Sequence, residues 1–200
     1  ADRHTEGHLP GMTITRLKIT LEGIAPVVSR TIEAPADIRL DRLHPVIQAA
    51  MGWETYHLYE FMAGETRWGL PDRDFGADAL PVAKASLADV IDAAGKAAIR
   101  YLHDFGDDWV HLIEAAIIGD PTPGNLSPRL VDITGKCPPE DVRGFPRYQH
   151  FLSAISDPYH PEHDEVLEWA GGPFDPHVPD ADELRLDVLK LAKKWKTRRK

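Results

Sequence analysis

Alternating apolar and polar residues near the start of the chain predict a β-hairpin. Residues 13–21 place leucine and isoleucine side chains on one face of an extended strand and charged side chains on the other. Residues 23–26 then contain the Gly and Pro of a turn, and a second β-rich run covers 27–33. The two runs are typical of an antiparallel pair with one buried face.

Helical and strand-like segments then follow each other along the chain. Apolar side chains recur at helical spacing from Leu40 to Met51, and Gly52 is a natural stop. Pro45 removes one backbone hydrogen bond, so we expect the helix to begin near it or to bend there. Further strand patterns cover 56–62, 66–69, 97–103, 109–117 and 130–133, and further helical patterns cover 87–94, 148–156, 161–170 and a last segment after 180.

This order of elements predicts an α+β fold. We expect a mixed, mostly antiparallel sheet made of strand pairs, with helices packed on it and a helical C-terminal part at about 145–200. The opening strand–strand–helix–strand order also fits a β-grasp-like core. Residues 12–200 are predicted to form a single domain, and residues 1–11 lack periodicity and are expected to be a flexible leader or a tag remnant.

Composition restricts the class of protein. The 200 residues are 42% hydrophobic and 28% charged, which is ordinary for a soluble globular chain. The single cysteine, Cys137, excludes an intramolecular disulfide and any site built from several cysteines of one chain. No apolar run approaches the roughly 20 residues that span a bilayer, and the first residues lack a secretory-signal pattern. We therefore expect a cytoplasmic protein without a membrane partner.

Charge is divided unevenly along the chain. The net charge is −9, but residues 190–200 hold seven basic residues and no acid, so residues 1–189 carry −16. An acidic body repels phosphate backbones, so nucleic acid is expected to contact only the basic tail. A solvated helix end is the interpretation we favour, since cations are stabilised at helix C-termini. The nucleic-acid candidates are Lys193, Lys194, Lys196, Arg198, Arg199 and Lys200.

The most concentrated chemistry lies between two predicted strands. Asp104, Asp107 and Asp108 offer carboxylate oxygens and His111 offers an imidazole, which is a donor set for Mg²⁺ or Mn²⁺. Asp and Gly also favour tight turns in which carboxylates accept backbone N–H bonds, and we favour this interpretation. No cofactor is predicted, and a divalent metal stays as the alternative. The Asp-Phe-Gly at 104–106 lacks the other kinase motifs.

Other candidate residues lie on separate segments. His57 and His111 share a pocket only if their two strands are close in the fold. A nucleophilic role for Cys137 would need a nearby histidine, and a small buried residue is the simpler interpretation. The complete candidate pocket is His44, Trp53, His57, Asp104, Asp107, Asp108, Trp109, His111, Cys137, Glu140 and Asp141.

Four segments carry motifs in a fixed order: Leu17–Leu21 with Pro26, Leu43–His44 with Ile47–Trp53 and His57–Leu58, Asp104–His111, and Gly135–Asp141. Together they resemble the plasmid pRiA4b ORF-3-like family, also labelled mobile-element passenger (TnpR-like) proteins. The resemblance covers about residues 13–150 and implies an α+β fold and an association with plasmids and transposons, but no established activity. Ser29 and His103 depart from the family's aromatic residues, and 142–144 lack its second cysteine, which argues against a paired-cysteine site.

The favoured functional interpretation is a non-catalytic interaction or binding module. It would act either by binding an unknown protein partner or through a groove lined by the His57, Asp104 and Trp109 segments. One alternative is a metal-assisted hydrolase or nuclease-like enzyme, in which the carboxylates of 104–111 hold a metal that activates water. Nucleic-acid contact through the tail is the other. Side chains of Asp104 and Asp107 that bind backbone N–H groups, with no open cavity, would favour the module.

Overall fold

The structure, a computed structural model, describes residues 13–70 and 79–197. These residues form eight β-strands, five α-helices and a short 3₁₀ turn at Val82–Lys84. The strands are β1 (Ile14–Leu21), β2 (Ser29–Pro35), β3 (Tyr59–Ala63), β4 (Thr66–Gly69), β5 (Leu80–Pro81), β6 (Ile99–His103), β7 (Trp109–Gly119) and β8 (Arg129–Thr134). The helices are α1 (Leu40–Met51), α2 (Leu87–Ala94), α3 (Gly144–Ser156), α4 (His163–Trp169) and α5 (Ala181–Thr197).

All eight described strands belong to one sheet, in the order β5-β4-β3-β6-β7-β1-β2-β8. Every neighbouring pair is antiparallel except β4 and β5. The predicted α+β class with a mostly antiparallel sheet is therefore confirmed. The opening order of elements is also as expected, but β1 and β7 run antiparallel, unlike the parallel central pair of a β-grasp fold.

Among the described residues the sheet buries its apolar side chains on one face, toward helices such as α2 and α5, and carries charged side chains on the other. On β1 the alternation buries Leu17, Ile19 and Leu21 beneath the helices and exposes Arg16 and Lys18 on the far side. That exposed face carries cross-strand ion pairs, as expected for a solvated antiparallel sheet. They are Arg16–Glu33 (2.6 Å), Arg129–Glu33 (2.7 Å), Arg67–Glu60 (2.5 Å), Arg100–Glu22 (3.5 Å) and Lys18–Glu114 (4.0 Å).

Element ends follow local chemistry with a few departures from the predicted bounds. α1 begins at Leu40 rather than near Pro45, which is accommodated inside the helix, and it ends at Gly52 in the left-handed conformation (φ 85°). Ser86 and Asp89 form the capping box of α2. The third helix begins at Gly144, earlier than its apolar pattern indicated.

The C-terminal part is helical, as predicted, and α5 packs on α1 and β8. Leu184, Val188 and Ala192 bury the apolar stripe of α5. The predicted leader (1–11) and the tail candidates Arg198, Arg199 and Lys200 lie outside the described residues. Across residues 13–70 and 79–197, no helix combines the length and apolarity needed to cross a membrane.

Candidate functional site

The acidic turn between β6 and β7 is shaped by its own hydrogen bonds. Asp104 and Asp108 adopt left-handed backbone conformations (φ 57° and 58°), which Asp tolerates better than most residues. Oδ1 of Asp104 accepts the backbone N–H groups of Gly106 (2.9 Å) and Asp107 (3.3 Å). The backbone N–H of Asp108 also donates to the carbonyl oxygen of Asp104, at 2.7 Å. This carboxylate oxygen therefore stabilises the turn.

The segment from Cys137 to Gly144 crosses this turn and is held by the turn near one end and by Trp53 near the other. Oδ2 of Asp107 accepts the backbone N–H of Arg143 at 2.9 Å. Gly144 has a positive φ (78°), and a Cβ there would lie 2.9 Å from the Asp107 carbonyl oxygen, so the close crossing requires glycine. On the other side, the indole N–H of Trp53 donates to the Pro138 carbonyl oxygen at 2.9 Å.

His57 lies between two carboxylates at the rim where these segments meet. Its Nδ1 is 3.4 Å from Oδ2 of Asp104, and its Nε2 is 3.4 Å from Oδ1 of Asp141. Glu140 stands beside them and accepts the backbone N–H of Glu54 at 3.0 Å through both carboxylate oxygens. We call His57, Asp104, Glu140 and Asp141 the acidic mouth.

Titration at the acidic mouth reflects its burial and charge. Desolvation raises the pKa of Glu140, although its hydrogen bond from the Glu54 backbone opposes this change. The hydroxyl of Tyr56 donates to Oδ2 of Asp141 at 3.1 Å. Desolvation and the nearby carboxylates, Glu140 foremost, raise the pKa of Tyr56 to about 12. The mouth thus concentrates negative charge at a partly exposed rim.

Beneath the mouth, histidines and aromatic rings form a buried cluster. Trp53 stacks on His103 (ring centroids 5.2 Å apart) and meets His111 edge-on at 5.7 Å. Tyr101 accepts the Gln48 amide N–H at 2.8 Å, so its hydroxyl donates to Nδ1 of His44, at 2.7 Å. This polar network links α1 to the centre of the sheet.

Burial keeps these imidazoles neutral. Desolvation lowers the pKa of His44 to about 3, of His103 to about 4 and of His111 to about 3. Nδ1 of His111 donates to the carbonyl oxygens of Tyr101 and Trp109, each at 3.1 Å. Its Nε2 and Nδ1 of His103 are buried without a hydrogen-bond partner.

Comparison with known proteins identifies the group to which the chain is related. The family model described as plasmid pRiA4b ORF-3-like protein matches residues 13–183. The chain belongs to this family. The resemblance seen in the motifs is therefore confirmed, and it extends past residue 150 into α5.

Two relatives show how far the similarity extends. Uncharacterized protein y4hQ of Sinorhizobium fredii is 42% identical over 191 residues, which cover 94% of this chain and 98% of that protein. The crystal structure of MM3350, a protein of unknown function from Methanosarcina mazei Go1, matches with a TM-score of 0.75 and 27% identity. That match covers 86% of this chain and 98% of the other, so most of this fold is shared.

Candidate residues of the predicted pocket divide into three places in this family member. His57, Asp104, Glu140 and Asp141 meet at the acidic mouth, and Asp107 and Asp108 lie on the adjoining turn. The core beneath holds His44, Trp53, Trp109 and His111, while Cys137 lies apart beside Arg30. The sequence pattern does not predict the buried roles of His103, Tyr101, Gln48 and Arg30. One feature of the sequence points to His103, which stands at a position where the family has an aromatic residue.

The four side chains proposed as a metal set are not brought together. The alternation of β7 places Trp109, His111 and Ile113 on the buried face, so His111 points into the core rather than toward the turn. Asp108 is exposed, and Asp107 accepts a backbone N–H. Among the described residues, the cluster with metal-ligand spacing is instead His57, Asp104 and Asp141. Asp104 is the one residue that this cluster has in common with the predicted set.

Cys137 is a buried neighbour of an internal arginine. Arg30 is 1% exposed, and its guanidinium lies 3.3 Å from Sγ of Cys137. Burial raises the pKa of the Cys137 thiol to about 11, against the opposing effect of Arg30, so the thiol stays protonated and is a poor nucleophile. The guanidinium N–H groups of Arg30 donate hydrogen bonds to the carbonyl oxygens of Ser29, Ala50, Thr134 and Gly135. Ala50 lies in the last turn of α1, where a positive charge is stabilised by the helix dipole.

Two clefts lie next to these features. One of about 610 Å³ separates the acidic turn from α3 and α4, and we call it the acidic cleft. Its charged and aromatic lining comprises Asp107, Asp141, Arg143, Arg147, His150, Phe151, Glu162, Glu165 and Trp169. The other, of about 950 Å³, runs between α1 and α5 and is lined by Trp53, Trp195 and the tail candidate Lys194, among others. Asp141 belongs to both the mouth and the acidic cleft, so these two form one continuous acidic surface.

Proposed function

We propose that the protein is a non-catalytic interaction module of the cytoplasm, associated with plasmids or transposons, whose acidic cleft docks a lysine- and arginine-rich segment of a partner protein. The observation that carries the proposal is the composition of this cleft. Four carboxylates, Asp107, Asp141, Glu162 and Glu165, face two arginines and one histidine, and the acidic mouth adds further negative charge at the same rim. The histidine, His150, pairs with Glu162.

The charge and shape of the cleft favour a basic protein segment. Trp169 is 52% exposed at its edge and offers a face for cationic side chains. The body of the protein is acidic as a whole, so a basic partner is attracted from a distance and a polyanion is repelled. A volume of about 610 Å³ accommodates several side chains of an extended segment.

The hydrogen bonds of the acidic turn support a non-catalytic role, whereas the second expected feature, the absence of an open cavity, is not met because the acidic cleft borders Asp107. Oδ1 of Asp104 and Oδ2 of Asp107 accept backbone N–H groups, and these bonds hold the crossing segments in place. Carboxylates that stabilise their own turn are poor candidates for activating water at the predicted metal set.

The proposal is tested by fluorescence anisotropy with labelled octalysine, octaglutamate serving as the charge-reversed probe. We expect octalysine alone to bind, more weakly at physiological ionic strength than at low ionic strength. Replacing Asp141→Asn together with Glu165→Gln should weaken binding about tenfold, because each exposed ion pair contributes ~0.2–1 kcal/mol.

A matched control separates docking at the cleft from the effect of net charge. Glu114→Gln with Asp120→Asn removes the same charge from exposed positions further along β7 and beyond its end. We expect this control to bind octalysine within about twofold of the unmodified protein. Equal weakening of both double variants, or absence of binding at low ionic strength, would contradict docking at the acidic cleft.

A further inference from the structure

A mixed imidazole–carboxylate set occupies the acidic mouth. One ring nitrogen of His57 and one carboxylate oxygen each from Asp104 and Asp141 lie within 4.8 Å of one another. Three protein donors with a fourth position for water is the usual arrangement of an open zinc site. We propose that His57, Asp104 and Asp141 bind a zinc ion at the acidic mouth.

One pair of donors already has the separation of a tetrahedral zinc site. Zinc bonds of ~2.0–2.2 Å at tetrahedral angles separate neighbouring donor atoms by about 3.4 Å. Oδ1 of Asp141 already lies 3.4 Å from Nε2 of His57, which is this separation. Oδ2 of Asp104 lies 3.4 Å from the other ring nitrogen, Nδ1, and the three donors fall within 4.8 Å of one another, so the Asp104 carboxylate must shift toward Nε2 to complete the set. A neutral imidazole and two carboxylates also balance the charge of a dication. Nε2 is the nitrogen that we assign to the ion.

Unpartnered buried nitrogens provide an independent observation. Nε2 of His57 is shielded from solvent and makes no hydrogen bond. His103 is 1% exposed, and its Nδ1 also lacks a partner. The two rings are perpendicular, with centroids 5.5 Å apart. A buried polar atom without a hydrogen-bond partner lowers stability by about 1–3 kcal/mol. Fold stability therefore does not explain why two unpartnered imidazole nitrogens lie here. A bound ion supplies the partner that Nε2 of His57 lacks.

The donor types select zinc over the hard cations. Mg²⁺ and Ca²⁺ prefer sites made of oxygen ligands, whereas imidazole nitrogen favours zinc and its transition-metal neighbours. Glu140 and Glu54 add negative charge beside the three donors, which raises the local concentration of cations.

The test is calorimetric titration of the full, metal-free chain with zinc chloride. We expect one zinc ion per chain and at least a hundredfold weaker binding of magnesium chloride. His57→Gln and Asp141→Asn should each weaken zinc binding at least tenfold. Asp141 has a left-handed backbone (φ 59°) that Asn also adopts, so Asp141→Asn removes a ligand charge while keeping the local conformation. Cobalt chloride gives a second readout, since its tetrahedral visible absorption should be lost in both variants.

Two controls define the result that would overturn the site. Asp108→Asn changes an exposed carboxylate of the same turn and should leave zinc binding within about twofold of the unmodified protein. His150→Gln removes a surface histidine that pairs with Glu162 and should also leave it unchanged. Absence of zinc binding, or binding lost in His150→Gln and kept in Asp141→Asn, would refute the proposal. Octalysine docking is measured on metal-free protein, so either proposal can fail alone.

Discussion

Acid sensitivity of folding is expected from the three buried histidines His44, His103 and His111. In the unfolded chain each imidazole has the ordinary pKa of about 6.5. In the folded protein desolvation lowers these pKa values to about 3, about 4 and about 3, respectively. Between these limits the unfolded state binds more protons than the folded state, so the free energy of unfolding falls as pH falls. The loss begins near pH 6.5 and continues to about pH 4 for His103 and about pH 3 for His44 and His111.

The magnitude follows from the same pKa values. Lowering the pH from about 7 to about 5 costs ~2 kcal/mol for each imidazole that protonates only in the unfolded chain. Three such groups give about 5–6 kcal/mol, which is comparable to the whole stability of many domains. Glu33, whose pKa is lowered, loses its contribution only below its ordinary pKa of 4.5, and Glu140, whose pKa is raised, acts in the opposite direction. The histidines therefore dominate this pH window.

Urea unfolding followed by tryptophan fluorescence at about pH 7 and about pH 5 measures this loss. His103→Gln should reduce the difference between the two pH values by about 2 kcal/mol, whatever its effect on stability at neutral pH. His177→Gln changes an exposed histidine and serves as the control, with the full difference retained. A loss below about 2 kcal/mol in the unmodified protein would refute the reasoning, because it leaves room for no more than one buried neutral histidine.

Three further predictions concern packing, the polar network and the tail. Gly135→Ala should lower the free energy of unfolding by at least about 3 kcal/mol in urea titrations, because φ is +67° and the new Cβ would lie 2.3 Å from a backbone carbonyl oxygen. Tyr101→Phe should cost about 1–3 kcal/mol in the same assay, since it leaves two buried side chains without their shared hydroxyl. Replacing the tail lysines Lys193, Lys194 and Lys196 by Gln should leave the affinity for duplex DNA within about twofold of that of the unmodified protein, as measured by fluorescence anisotropy at several salt concentrations. A smaller dependence of the affinity on salt in this variant would instead support DNA contact through these lysines.

Much of the fold could be predicted because its periodicity is local. The alternation in residues 13–33 and the turn chemistry between 103 and 109 each specify a hairpin without reference to the rest of the chain. Gly52 and Ser86 mark helix ends for the same reason. The sheet order could not be derived, because the pairing of β1 with β7 joins segments far apart in the sequence. Local propensity carries no information about which edge a later strand occupies.

The candidate site was predicted in part for a related reason. His57, Asp104 and Asp141 are candidates by their motifs, but their grouping depends on three separate segments of the chain meeting at one place. Asp141 reaches His57 only because its segment is anchored by the Trp53 indole on one side and the Asp107 carboxylate on the other. His111 is equally suitable by residue type, but the pleat of β7 points its side chain into the core. Residue chemistry thus selects candidates, and backbone geometry decides which of them meet.

The placement of unpartnered polar atoms connects the core to the mouth. Of the six buried side-chain polar atoms without a partner among the described residues, three are imidazole nitrogens, on His57, His103 and His111. All three rings adjoin one another or Trp53, next to the acidic mouth. An apolar ring at His103 would pack as well and would remove an unpaired group, so stability does not explain the imidazoles. Departures from the rules of stable packing that concentrate in one place are typical of binding sites, and here they converge on the same His57 side chain that faces Asp104 and Asp141.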